Sequence, residues 1–233
     1  MKVMDANELY DPEFRELIKS KNPTIIIPVG SLEQHGAHLP ITTDSDIVTE
    51  IASRLGKKCN FIVLPTINYG VSYEHSPLFN TSIDGKVLGN ILMNIIHSLK
   101  ENNVNSIMIL NGHHGNDRIT VPLSTGTKFP TSVISYSYWH FMRHEFDHAG
   151  FVETSLMLAI SDKVKMKKAK KGLITKGLSE KEIQRINKLS TQPGGFPKVA
   201  PNGVWGDPTK ATKKDGEKFL EEIVRNLAKE CQT

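Results

Sequence analysis

Short, uniformly apolar runs alternate along this chain with longer stretches in which apolar residues return every three or four positions. The first run, residues 24–29, is rich in β-branched side chains, the pattern of a strand buried on both faces of a parallel sheet. Ile47, Ile51 and Leu55 follow at helical spacing, with Ser45 or Asp46 as the expected cap. Residues 61–64 read as a second short strand, and Val87, Leu88, Leu92, Ile95, Ile96 and Leu99 mark one face of a helix over 84–102. A third strand is predicted at 106–110, with a helix starting after Asn116, and a fourth at 131–138, reaching Trp139 and His140. Ahead of the first strand, Phe14, Leu17 and Ile18 predict a short helix over 11–20, ended by Asn22 and Pro23. Residues 147–155 read as the entry to a helix continuing into the apolar stretch 156–160, and Phe219, Leu220, Ile223 and Leu227 give a closing helix over 215–229. Strands alternating with helices across short connections predict an α/β fold with a parallel sheet.

The 233 residues suffice for one substantial core, and no composition shift or linker divides them, so one domain is expected over 1–233. The net charge of +4 is mild, and its lysines gather at 163–176 and 210–214, unlike the stripe of a nucleic-acid binder. With Cys59 and Cys231 as the only cysteines there is no disulfide framework, which fits a reducing cytoplasm. No apolar run approaches the length that spans a bilayer and the first ten residues lack a signal-peptide core, so a soluble cytoplasmic protein without membrane or nucleic-acid partners is expected.

The chemistry gathers where the strands end. Residues 28–46 read Pro-Val-Gly-Ser-Leu-Glu-Gln-His-Gly-Ala-His-Leu-Pro-Ile-Thr-Thr-Asp-Ser-Asp. Imidazole nitrogen with carboxylate oxygen suits Zn, Mn or Fe(II), and a carboxylate that can bridge suits a pair of ions. Glu33 and His35 are two apart, so an extended segment turns them to one side, and Asp44 can return from the far end of the loop. A second cluster, Asn-Gly-His-His-Gly-Asn at 111–116, follows the third strand and makes His113 a candidate fourth ligand. Sites in open parallel sheets form beyond the carboxyl ends of the strands, where both clusters fall. The loop 65–83, which contains Glu74 and His75, has the length of a functional loop. Glu153, near a helix start, either offsets the helix dipole or faces the site.

In order and spacing, Gly-Ser-Leu-Glu-Gln-His-Gly at 30–36, Thr-Asp at 43–44, Asn-Gly-His at 111–113, and His-Ala-Gly followed by Glu-Thr-Ser within 148–155 resemble the creatininase family of metal-dependent amidohydrolases. The resemblance covers about residues 28–160. It implies a three-layer α/β/α fold with a mostly parallel sheet, two divalent metal ions (Zn or Mn, with Fe admissible) and a homo-oligomer, often a hexamer. It makes Glu33, His35, Asp44 and His113 metal ligands with Asp44 bridging. His148, whose ordinary pKa lies near working pH, is expected as the catalytic acid that protonates a leaving nitrogen, with a metal-ligand or structural role as the alternative. Creatininase binds metal with a glutamate two residues after the Asn-Gly-His histidine, where this chain has Gly115. Glu153 is then the acidic group that completes the second ion's shell and joins His148 in catalysis. Of the family's substrate-facing aromatics only Trp139 matches, while His114 and His144 stand where creatininase has a tyrosine and a second tryptophan. These three are the candidate substrate contacts. The implied activity is hydrolysis of an amide C–N bond in a small molecule by a hydroxide shared between the ions. Alternatives are an archaeal-type formamidopyrimidine nucleotide deformylase, a peptidase of redox-cofactor maturation, and a non-catalytic metal-binding or nucleotide-sensing α/β module.

Overall fold

In the computed structural model, which describes residues 5–126, 132–145 and 147–231 (125 and 126 by backbone alone), Ile25–Val29 (β1) is buried along its whole length. It pairs in parallel with Ile62–Val63 (β2) on one side and with Ser106–Asn111 (β3) on the other. Ser132–Ser137 (β4) pairs in parallel with β3, which gives the order β2-β1-β3-β4. Eight α-helices occur among the described residues: Asp11–Lys21 (α1), Thr43–Cys59 (α2), Gly85–Glu101 (α3), Asp117–Gly126 (α4), Phe151–Ile160 (α5), Glu180–Ser190 (α6), Phe196–Val199 (α7) and Lys213–Glu230 (α8). None is long and apolar enough to cross a membrane.

The period-two alternation of strand side chains sorts the core into two halves. Ile25, Ile27 and Val29 of β1 join Ile107 and Ile109 of β3 in packing against Ile18 of α1 and Leu88, Leu92 and Ile96 of α3. Ile26, Met108 and Leu110 turn the other way, onto Ile47, Ile51 and Leu55 of α2, Leu156 of α5, and Leu220 and Ile223 of α8. The result is three layers, α/β/α. Each such Ile or Leu contributes roughly 1.5–3 kcal/mol when fully buried, which explains why a strand covered on both faces is apolar throughout.

The chain leaves β1 for β2 on one side through α2, and leaves β3 for β4 on the other through α4. The crevice between the carboxyl ends of β1 and β3, whose last paired residues are Val29 and Asn111, is therefore the point where strand order reverses and ligands bind in such sheets.

Three local expectations are revised. The α2 helix starts at Thr43 with Thr42 as N-cap, ahead of Ser45 and Asp46, because apolar spacing from Ile47 marks only its buried face. Ser45 Oγ instead donates to Ser31 O at 3.1 Å, tying α2 to the preceding loop. The fourth strand ends at Ser137, and Tyr138–Phe141 coil into a 3-10 turn that carries Trp139 and His140; Thr131 lies outside the described residues. The segment 163–208, which the apolar pattern left blank, holds α6 and α7. The α6 helix carries a start signal, Ser179 bonded to the N–H of Glu182 and Glu182 bonded back to Ser179. Its exposed, polar sequence hides it from any search for an apolar stripe.

Candidate metal centre

Five of the residues singled out by the sequence converge on that crevice. Glu33 and His35 come from the loop after β1, Asp44 from the first turn of α2, His113 from the exit of β3 and Glu153 from the first turn of α5; all are buried. Asp44 stands in the middle. Its Oδ1 is 3.1 Å from His35 Nε2 and its Oδ2 is 3.1 Å from His113 Nδ1. His113 Nδ1 is also 3.3 Å from Glu33 Oε2, and His35 Nε2 is 3.5 Å from Glu153 Oε2. Two donor groups therefore share one carboxylate, Glu33–Asp44–His113 and His35–Asp44–Glu153.

The rear nitrogen of each imidazole is held by a backbone carbonyl. His113 Nε2 donates to Val71 O at 2.8 Å, and His35 Nδ1 donates to Glu33 O at 3.2 Å. In the neutral rings the front nitrogens, His113 Nδ1 and His35 Nε2, are then bare, which is the tautomer a metal ligand needs. A bare nitrogen 3.1 Å from a carboxylate oxygen sets two lone pairs against each other unless a proton or a cation lies between them. Asp44 Oδ2 is also buried without a hydrogen bond of good geometry. A tetrahedral ion with bonds of about 2.1 Å has ligand–ligand edges of about 3.4 Å, close to the separations found here. The donor set fits two divalent cations.

Without cations, protons take their place. Burial by itself lowers His35, but Asp44, Glu153 and Glu33 around it outweigh burial and raise it to about 10. His113 is likewise lowered by burial and raised well above the usual imidazole range by Glu33, Asp44 and Glu74. Asp44 is raised by burial but held far below the usual carboxylate range by His35 and His113. Glu153 goes the other way: burial and the charge of Asp44 push it up to about 8, against the pull of His35 and the Ala149 N–H, which donates to Glu153 Oε2 at 2.6 Å.

His148 stands beside the centre, its ring 4.3 Å from that of His35 and its Nδ1 3.9 Å from Glu33 Oε1. Burial first, and then the charges of His35 and His75, hold it well below the ordinary imidazole value, so it is neutral at pH 7. The preceding residue, Asp147, takes the Val152 N–H at 3.0 Å and so fixes the entry to α5. A cavity of about 690 Å³ opens over Glu33, Asp44, His113, His148 and Glu153 and runs out to Asn187 of α6 and Thr191, its C-cap.

The candidate substrate contacts separate. His114 lines this cavity and stacks on Trp139, with ring centroids 5.1 Å apart, while Trp139 lies buried behind it. His144 does not line the cavity; the bend after the 3-10 turn sets it against Phe151 and Phe219, 5.5 Å from each ring. The lysines of 163–176 do not line it either.

Three residues left without a role by the sequence reading sit at the centre: Gln34, Glu74 and His75. The pairing of Glu74 with His75 inside an overlong loop was the available signal, and only the tertiary fold shows that the loop closes over Glu33. Gly115 explains how Glu74 gets so near. A Cβ at Gly115 would collide with Val71 O and stand 2.6 Å from His113 Nε2 and 2.9 Å from Glu74 Oε1. No side chain fits there, so the second group draws its carboxylate from α5.

The creatinine amidohydrolase family model matches residues 7–231. A mycofactocin precursor peptide peptidase of Mycobacterium ulcerans is 31% identical over 214 residues, 87% of this chain and 82% of that one. Creatinine amidohydrolase of Pseudomonas putida is 26% identical over 189 residues, 68% and 72% of the two chains. A crystal structure of creatininase superposes with a TM-score of 0.78 at 25% identity, covering 98% of this chain and 96% of the other. With the family pattern matched along nearly its whole length and the same fold beneath it, this chain belongs to the creatininase family of amidohydrolases.

Proposed function

We propose that this protein hydrolyses an amide C–N bond with two divalent cations, one held by Glu33, Asp44 and His113 and the other by His35, Asp44 and Glu153. The observation that carries this reading is Asp44, whose two oxygens each stand 3.1 Å from a ring nitrogen of a different histidine. Zn and Mn suit the mixed nitrogen and oxygen donors, with Fe admissible. Such a pair, when bound, lowers the pKa of water towards neutrality and polarises a carbonyl. His148, neutral at pH 7, takes up the proton released as water adds to the carbonyl carbon and returns it to the leaving nitrogen as the C–N bond breaks. The length of the cavity out to α6, together with kinship to a peptide peptidase, favours a short peptide as a second class of substrate beside a small amide.

Metal loading tests this directly. His35, His113 and Glu153 hold protons at pH 7 when no ion is bound, so loading two ions is expected to expel about two to three protons per chain. Release shrinks as pH rises through about 8, where Glu153 has lost its proton, and again towards 10 for His35. Calorimetry of Zn binding in two buffers of different ionisation enthalpy measures it. The loaded protein is then expected to hydrolyse at least one of creatinine, formanilide and trialanine, and to lose that activity on chelation. Binding of a single ion, or no metal-dependent turnover of any of the three, would overturn the reading.

Glu153→Gln is expected to weaken one ion selectively, by at least the roughly 10–100-fold that loss of an outer-shell partner costs, because it removes a charged ligand from one group and leaves Asp44 in place. Metal titration would then show one tight and one weak site. Two tight sites and unchanged turnover would return Glu153 to a helix-dipole role.

A further inference from the structure

Gln34 lies between two proposed ligands in sequence, and its side chain is buried at 8% exposure. Its Oε1 is 2.9 Å from the Gly36 N–H, which can only donate, so the orientation of the amide is fixed with its nitrogen on the other side. That nitrogen is 3.0 Å from His75 Nδ1 and 3.1 Å from His148 Nε2. An amide nitrogen only donates, so His75 Nδ1 is an acceptor and neutral His75 carries its proton on Nε2. His75 Nε2 in turn lies 3.0 Å from Glu33 Oε1, a buried oxygen without a hydrogen bond of good geometry. An N–H at that distance attracts the oxygen, whereas a bare nitrogen would repel it. Gln34 thus decides the sign of the contact behind Glu33.

At His148 the same residue offers Nε2 both kinds of partner. The side-chain nitrogen can donate to it, and Gln34 O, also 3.1 Å away, can accept from it. Nε2 is therefore satisfied with or without its proton, and Nδ1 is left as the nitrogen turned towards Glu33. The surroundings are built to this amide. A Cβ at Gly203, whose φ is +72°, would collide with Gln34 Oε1, and the Phe196 ring closes over His75 at 4.6 Å.

We infer that Gln34 is the positioning residue of this centre: its amide sets the tautomer of His75, which orients Glu33, and holds His148 so that Nδ1 faces the bond being cleaved. The His148 half rests on the amidohydrolase reading; the His75 half does not.

Nitrogen NMR of the Zn-loaded protein with labelled histidines, at mildly alkaline pH and with His75→Ala to assign the signal, reads the tautomer without any assay of activity. His75 is expected as the Nε2–H form in the native chain and as the Nδ1–H form in Gln34→Glu, where a carboxylate accepts in place of the amide donor. Gln34→Met, which brings no buried charge, is expected to lose the pure Nε2–H form. In both variants two ions stay bound, and kcat on formanilide falls about 10–100-fold with KM within about twofold, the range for removing a group that orients ligands. The loss is smaller on 4-nitroformanilide, whose leaving group needs less help from His148. A His75 tautomer that neither substitution changes would overturn the inference, and so would a fall in kcat that merely follows loss of metal. If the native protein turned over no amide, the amidohydrolase reading would fail while the tautomer measurement still decided the role of Gln34.

Discussion

Asp44→Ala is expected to empty both metal positions at once and to lower metal-dependent turnover by on the order of 10³-fold or more, the several kcal/mol that a cation pair supplies to a developing oxyanion. No other residue of the centre belongs to both donor groups, so no other single substitution should remove two ions together. Asp44 also pairs with buried His35 and His113, so its removal acts on stability as well as on metal binding. Elemental analysis beside a thermal melt separates the two effects: the variant should melt as a folded protein and carry no stoichiometric metal. Retention of two ions per chain by Asp44→Ala would end the bridging assignment.

His148→Ala should leave both ions bound and lower kcat by roughly 10²–10⁴-fold, the range for a positioned proton carrier. The two proposed groups that meet at Asp44 do not include His148, although Glu33, His35 and His148 also stand close enough together to hold an ion. A ligand would show the opposite order of failure, with affinity lost first and activity restored by excess metal. A leaving group that departs without a proton bypasses the acid, so 4-nitroformanilide should recover much of what formanilide loses. Equal losses on both, with two ions in place, would leave His148 as a residue that only orients its neighbours.

The convergence of Glu33, His35, Asp44 and His113 was legible in the sequence because Glu33, His35 and His113 follow apolar strands whose ends a parallel sheet gathers at one edge, while Asp44 returns from the far end of the first loop. Their order along the chain carried the rest. His75 was not legible, because what makes it part of the centre is burial under α7 and contact with Gln34, and neither leaves a local pattern. The cap of α2 was missed for a related reason: Thr42 and Thr43 are set by the loop they close, while the apolar spacing begins only at Ile47. Substrate contacts transferred least well. Trp139 and His144 lie in a 3-10 turn and a bend whose course is not fixed by strand or helix periodicity, and the fold turns His144 towards Phe151 and Phe219.

Gly115 closes off a mutational route. A lineage that supplied the second ion from position 115 could not reach the present arrangement, or leave it, by exchanging that residue alone, because the carbonyl of Val71 occupies the space a side chain would need. The loop around Glu74 has to withdraw first, which unseats His113 Nε2 from Val71 O. Residue 115 and the course of that loop are thus tied by steric exclusion, and neither can change without the other.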